Sequence, residues 1–511
     1  MANEKASSRI EIPVIRQDGP PAMTGIRKDM VPERVFSFEK APDPIPEAEI
    51  QGTFSSDVVI AGGGLAGVSG AMAAVEAGAQ TILIEKTNTF ASFGGDIAAV
   101  GSRMQKKLGI EIDKDEVLLA LMKYGANKPD QSLLRLWAEG SGASMDWLLD
   151  MTEAAGLKVE MGSYPPPANF NNADEYYPQY LATHHFGLRN KVVQTILEAA
   201  VKKGLKVYTF TRAKQLSRTG KSRVTGLIAQ DKEGRYIRFQ AKKAVILCTG
   251  DYGSNAEMMA KYCPQAAYLP SLKPTSTGEG HQMAMWVGAM MEEGPHAPMS
   301  HAFASEAGNY PFLQVNLRGQ RFQNEDVPGQ SYTNAWERQP GRTAWQVFDS
   351  KYVEQSKTMG IGHAKIPLTP ETVKNLEKQL LQAATIDELG AKMGLPVSIF
   401  KATVQRYNEL AHLGKDLDFA KRPDRLFPIE TPPFYAGKGR YALLCVMGGL
   451  NLNTKLQALD KEWEVIPGLY LAGNTMGNRF AVDYPTIVPG ISLGMALHYG
   501  KTAGHNAATL E

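Results

Sequence analysis

"SDVVIAGGGLAGVSGAMAAVEAGAQTILIEK" (residues 56–86) joins an apolar β-branched run, a glycine turn, a small-residue helix and a second apolar run closed by an acid. This order predicts a βαβ unit with GxGxxG at Gly62, Gly64 and Gly67, and with Glu85 at the tip of the second strand. Each position has a physical reason. Gly62 allows the tight turn, Gly64 lets backbone approach a pyrophosphate, and Gly67 permits close helix packing. The helix start supplies N–H donors and a positive dipole end, and Glu85 suits ribose hydroxyls. The unit predicts dinucleotide binding without saying which dinucleotide.

Three segments further along favour FAD over NAD. "TNTFASFGGDIAAVG" (87–101) follows Glu85 closely, and Gly94 and Gly95 there let backbone lie against a flat ring. "KKAVILCTGDYGSN" (242–255) is an apolar strand ending in Thr249, Gly250 and Gly253. "VIPGLYLAGNTMG" (465–477) ends a strand in Gly473 and Asn474, and "YPTIVPGISLGMALHYGKTAG" (484–504) opens a helix at Gly490 and Ser492. Helix-end donors there would favour a ring that becomes anionic on reduction.

The rest of the chain narrows the class. A length of 511 residues fits two or three structural units. With 55 basic against 53 acidic residues there is no field to recruit nucleic acid or an anionic membrane. Cys248, Cys263 and Cys445 form no CxxC pair for zinc, iron–sulfur or haem, so no metal site is expected and redox chemistry falls to an organic cofactor. No run approaches the ~18 to 20 apolar residues of a membrane span, and the start shows no signal sequence. A cytoplasmic location is the expectation. Residues 1–54, rich in Pro and charge, read as an extended arm.

In order and spacing, "GGGLAGVSGAMAAVEAG", "VILCTGDYGSN", "STGEGHQMAMWVGA", "VNLRGQRFQNE", "MGGLNLNT" and "IPGLYLAGNTMG" resemble one flavoprotein family. It comprises soluble fumarate reductases, the succinate dehydrogenase flavoprotein subunit, urocanate reductase and 3-ketosteroid dehydrogenases. The resemblance implies an α/β fold: a glutathione-reductase-like Rossmann FAD-binding domain (55–265 and 431–511) with an inserted α+β capping domain (266–430). It also implies hydride exchange between flavin and a carbon–carbon bond beside an electron-withdrawing group. Carried over for FAD are Gly62, Gly64, Gly67, Glu85, Lys86, Gly94, Gly95, Gly250, Gly473, Asn474 and Ser492; many relatives have Glu at the place of Asn474. Some relatives tether the flavin through a His before the glycine pair. "TNTFASFGG" has none, so FAD is expected to be non-covalent.

Such a reaction needs a proton donor within ~3 Å of the reacting carbon. In soluble fumarate reductases it is an Arg four residues after the Glu of the "RFxNE" motif. Here the motif ends at Glu325 and that place is Gly329. A helix started by Pro328 would set Tyr332 one turn from Gly329 on the same face, making Tyr332 a candidate donor or a packed aromatic. By resemblance to 3-ketosteroid dehydrogenases, Tyr484 and the Gly490 N–H are candidates to bind a carbonyl oxygen, and His301 lies where fumarate reductases hold substrate.

Leu444-Cys445-Val446 stands where a fumarate-binding His is found, and "FAVDYPTIVPG" stands where a late arginine is found. The expectation is therefore an ene-reductase for an unsaturated carbonyl compound larger than fumarate. Electrons would come from, or leave to, a separate partner. The alternatives are a 3-ketosteroid-type dehydrogenase, a dicarboxylate reductase and a non-catalytic electron-transfer subunit. Arg189 and the aromatic run at 164–180 are weaker candidates, better read as a helix start and a solvated loop.

Overall fold

The computed structural model describes residues 35–92, 94–162, 179–187, 189–302, 310–327, 331–359 and 368–510. Its central sheet carries five parallel strands in the order Val465–Leu471, Tyr236–Leu247, Ile50–Ala61, Thr81–Ile84 and Lys206–Tyr208. Val58, Val59 and Ile60 are wholly buried, as the unbroken apolar run requires when both faces of a sheet are covered. The first strand begins at Ile50, inside the span read as an arm. Upstream of it, Phe38 packs against Tyr262, and Lys261 pairs with Glu39.

Helix Leu65–Glu76 buries its first ten residues, because it lies between the sheet and helix Ile491–Ala508. These two helices meet through glycine. A Cβ on Gly70 would stand 3.1 Å from the Gly500 carbonyl oxygen, and Cβ atoms on Gly500 and Gly504 would collide with the backbone at Ala66 and Gly70. The seam lets both helices start at the same end of the sheet, beyond the carboxyl ends of its strands, where doubly wound folds bind ligands.

The cap is built on a four-stranded antiparallel sheet, Leu313–Val315, Trp345–Asp349, Phe434–Lys438 and Leu381–Ala383. Helix Val397–Leu413 covers it with Phe400, Val404, Tyr407 and Leu410. The strand Phe434–Lys438 places the end of this sheet beyond residue 430. Between cap and body, Pro298–Ala302 pairs antiparallel with Tyr441–Val446, Met299 opposite Cys445.

Within the cap, the motif "RFQNE" is a buried charge network. Arg321 is bidentate to Glu325 at 2.8 and 2.9 Å and donates to Asp416 at 2.8 Å. The Lys421 ammonium lies 3.3 Å from Glu325 and donates to the Tyr407 hydroxyl at 2.7 Å. Burial works to raise the Asp416 carboxyl, but the Arg321 guanidinium and nearby backbone N–H groups hold it down at about 2. Asp326 is held by Arg422 and, at 3.0 Å, by Arg425. The motif thus secures the loop.

Removing one member of such a network leaves uncompensated buried charge. Glu325→Ala is expected to destabilise the chain by about 3–5 kcal/mol in urea denaturation. A loss below ~1 kcal/mol, the worth of an exposed pair, would show that the network does not hold this loop.

Candidate active site

Past the carboxyl ends of the parallel strands lies a cavity of ≈ 270 Å³. Two helix starts open onto it. Gly64 precedes Leu65–Glu76 and Gly490 precedes Ile491–Ala508, neither with a side-chain cap, so their first N–H groups lack side-chain acceptors. A Cβ on Gly64 would meet nothing closer than the Ala91 carbonyl oxygen at 4.0 Å, which leaves space above this helix start. Gly490 is left-handed, φ 81°, and a side chain there would run into the Asp96 carbonyl oxygen at 2.7 Å.

Gly250 and Gly473 line the same cavity where two further strands end, and Gly94 and Ser92 line it from the loop after Glu85. A Cβ on Gly95 would stand 2.7 Å from the Phe186 carbonyl oxygen. The Glu85 carboxylate is fixed at the strand tip by N–H groups of Gly63 and Thr87, each at 2.8 Å. Lys86 turns away to Glu279 at 2.9 Å, so its ammonium is engaged in an ion pair.

Tyr484, Gly490 and Ser492 converge on one wall. Burial pushes the Tyr484 phenol up, opposed by the backbone N–H groups of Ser492 and Gly490, which favour the phenolate. At neutral pH the group is a neutral phenol. Asn474 lines the cavity beside Ser492, whose hydroxyl donates to its Oδ1 at 3.5 Å. Met299, Leu444 and Cys445 add apolar lining, and burial raises the Cys445 thiol.

The structure adds residues that the sequence reading passed over. Asp251 and Lys273 both line the cavity. Burial raises the Asp251 carboxyl against the N–H of Gly253 at 2.7 Å and the charge of Lys273. Asp96 lines it too and meets His185 Nδ1 at 2.6 Å. Arg479 is fully buried behind Asn474. Its Asn-Arg pair stands at the head of the segment read as having lost an arginine, so that signal was legible.

Other candidates fall elsewhere. His301 is in the strand opposite Ala442, and Tyr332 opens helix Tyr332–Trp336 with Ser331 as its N-cap. The side chains of His301, Tyr332 and Arg189 lie outside the described residues, as do Pro328 and Gly329, on which the helix-face argument rests. Of the aromatic run, only Gln179 and Tyr180 are described; the Gln179 amide donates to the Thr486 carbonyl at 3.0 Å. His296 is a core residue, stacked on Tyr262 at 5.2 Å and joined to the Tyr252 hydroxyl at 2.5 Å.

The cap is fastened next to Tyr484 by Asp483. Its Oδ2 accepts from Asn334 at 2.7 Å and Ser331 at 3.2 Å, and its Oδ1 from the Tyr484 N–H at 2.7 Å. Burial outweighs these donors and lifts the carboxyl to about 6. With an unfolded value of about 3.9, the folded state prefers the neutral acid. The stability it contributes is full below pH ~4 and is lost as pH rises through about 6. Asp483→Asn is expected to lose less stability than the unsubstituted chain between pH 4.5 and 7, measured by urea denaturation at each pH. Parallel curves would refute this assignment.

Compared with families of known proteins, residues 57–486 match the family described as FAD binding domain. A vinyl phenol reductase of Lactiplantibacillus plantarum is 28% identical over 89% of this chain and 96% of its own length. A urocanate reductase of Eggerthella lenta is 28% identical over 93% of this chain and 78% of its own. Among solved structures, the open conformation of a flavocytochrome c3 fumarate reductase superposes with a TM-score of 0.70 at 26% identity, covering 93% of this chain and 82% of that one.

Proposed function

The chain belongs to the FAD-binding-domain family, and from that premise we propose that it is a flavin-dependent ene-reductase. Its substrate class is a carbon–carbon double bond conjugated to an electron-withdrawing group, on a molecule larger than fumarate and uncharged or singly charged. The relatives named for vinyl phenol and urocanate reduction support that class. One observation carries the reading: a neutral phenol, Tyr484, held beside the N–H groups of an uncapped helix start in a cavity at the strand ends.

The residues present fit FAD. The open space above Gly64, with an uncapped helix behind it, suits a pyrophosphate. In this reading Gly62, Gly64 and Gly67 shape the phosphate turn, and Glu85 receives the ribose. Gly94, Gly95, Gly250, Gly473, Asn474 and Ser492 surround the rest, with Lys86 behind Glu85. Attachment is non-covalent, since the loop before Gly94 carries no His.

Bound FAD supplies the hydride. Tyr484 donates a hydrogen bond or a proton, and the N–H groups of Gly490 and Ser492 stabilise negative charge developing on a carbonyl oxygen. Leu65, Met299, Leu444 and Leu493 line the cavity with apolar surface that keeps water out. Lys273 is the one cation on the described lining and lies near Asp251, so a dicarboxylate would lack the two cations that its charges need once desolvated. Tyr332 and His301 remain candidates from the cap side.

A separate carrier delivers the electrons in this reading. Among the described residues no helix is long and apolar enough to cross a membrane. Three buried free thiols suit a reducing compartment, and we assign the cytoplasm.

Anaerobic photoreduction of the holoprotein, followed by mixing with fumarate, urocanate, a cinnamate, a flavonoid or a steroid enone, tests the proposal. Reoxidation is expected with a bulky conjugated alkene and not with fumarate. Tyr484→Phe should slow that step by about 10²-fold or more, the range of general acid catalysis. Faster reoxidation by fumarate than by any larger compound would overturn the substrate class. An unimpaired Tyr484→Phe would move the proton to another donor, with Tyr332→Phe as the comparison.

A further inference from the structure

Arg479 is wholly buried, yet its charge is largely uncompensated. Its Nη2 donates to Asn474 Oδ1 at 3.1 Å and to the Met447 carbonyl at 3.5 Å. Among the described residues its Nε and Nη1 have no hydrogen-bond partner, and no carboxylate forms an ion pair with it. The groups that face it are Tyr499, Glu292, Cys445 and Tyr484. Glu292 turns its oxygens to the backbone N–H groups of Gly449, at 3.0 Å, and Asn478. Burial lifts the Glu292 carboxyl to about 7, so it is only partly ionised at neutral pH. The Tyr499 hydroxyl is spent on the Leu133 carbonyl at 2.7 Å, and the face of the guanidinium lies over Phe480 at 5.2 Å.

A buried cation in this state is costly, and the cost points to an electronegative group bound nearby. Its one side-chain acceptor, Asn474, lines the cavity. A guanidinium can only donate, so it requires the oxygen of the Asn474 amide and turns the NH2 the other way, toward Cys445 and the cavity. Ser492 donates to the same oxygen and reinforces the orientation. The charge also lies one amide away from the start of helix Ile491–Ala508, since Asn474 Oδ1 accepts from both Arg479 and Ser492, so it adds to the positive end of that helix at Gly490.

We propose that Arg479 is a positioning residue that turns the Asn474 amide to present its NH2 to the cavity, and that its fixed charge raises the reduction potential of the bound flavin. The inference rests on the FAD reading above. Electrons placed on a ligand in this cavity meet the Arg479 charge, because the two carboxylates of the lining are engaged elsewhere, Asp96 by His185 and Asp251 by the Gly253 N–H and the charge of Lys273. A buried charge is only weakly screened by solvent.

The test is the midpoint potential of FAD in the holoprotein, measured by spectroelectrochemistry without substrate. Arg479→Met should lower it by at least ~30 mV, one decade in the two-electron equilibrium. Arg479→Lys, which keeps the charge, should fall between. Asn474→Asp keeps the guanidinium but sets a carboxylate against it, and should lower the potential too; it carries the test should Arg479→Met fail to fold. The thermal midpoint of the Arg479→Met apoprotein should be equal to or above that of the unsubstituted apoprotein. A merely structural arginine would reverse the pattern, with a lower apoprotein midpoint and an unchanged potential. Potentials in Arg479→Met and Asn474→Asp equal to the unsubstituted value would overturn the proposal. An unsubstituted chain that takes up no FAD would instead remove the functional reading beneath it.

Discussion

The glycine seam between helices Leu65–Glu76 and Ile491–Ala508 governs everything at the strand ends. Gly70, Gly500 and Gly504 remove the side chains that would hold the two backbones apart. Both helices can then lie on the same sheet and begin side by side, each presenting first-turn N–H groups to one cavity. A bulkier residue in the seam would separate two dipole ends that act together only at short range. Packing and electrostatics are therefore one constraint, met by small residues that begin about one turn behind the cavity lining at Ala66 and Ala496.

Charge is handled in opposite ways in the two halves of the molecule. In the cap, Arg321 faces two carboxylates and two aromatic rings, and Lys421 shares Glu325 with it. That network is self-sufficient and fixes a loop. Near the cavity, Arg479 has an amide and a carbonyl where acids could have stood. A self-neutralised cluster stiffens a fold but projects little field, whereas an unbalanced charge costs stability and projects one. Asp483 stands between the two halves, a buried acid whose acceptors tie Asn334 and Ser331 of the cap to the backbone of Tyr484.

Much of this was legible in the residues because it is local. The glycine fingerprint, the apolar strands and the acid at Glu85 are signals within one βαβ unit, and the parallel pairing of its two strands follows from them. The motif order gave the family and the inserted cap. What escaped depends on tertiary placement. The Asn-Arg pair at Arg479 is visible in the sequence, but its burial under Asn474 is not, because that depends on how the loop folds back. Asp251 follows a glycine as many turn residues do, and only the meeting of that turn with the loop of Lys273 brings both to the cavity. Ile50 looked like part of an arm because the strand from Ile50 to Ser55 is polar and half exposed, held by backbone pairing to Tyr236–Leu247.

The strand pair Pro298–Ala302 and Tyr441–Val446 bears on how such a molecule can change over evolutionary time. The chain leaves for the cap and returns from it along neighbouring antiparallel strands, so the two ends of the insert lie about one strand spacing, ~4.8 Å, apart. An insert with closely spaced ends can be lengthened, shortened or exchanged at a small cost in loop closure. The parallel sheet and its glycine seam would be undisturbed by such an exchange. The cap is in this sense a cassette, and substrate range can diversify in it while the chemistry at the strand ends is inherited unchanged.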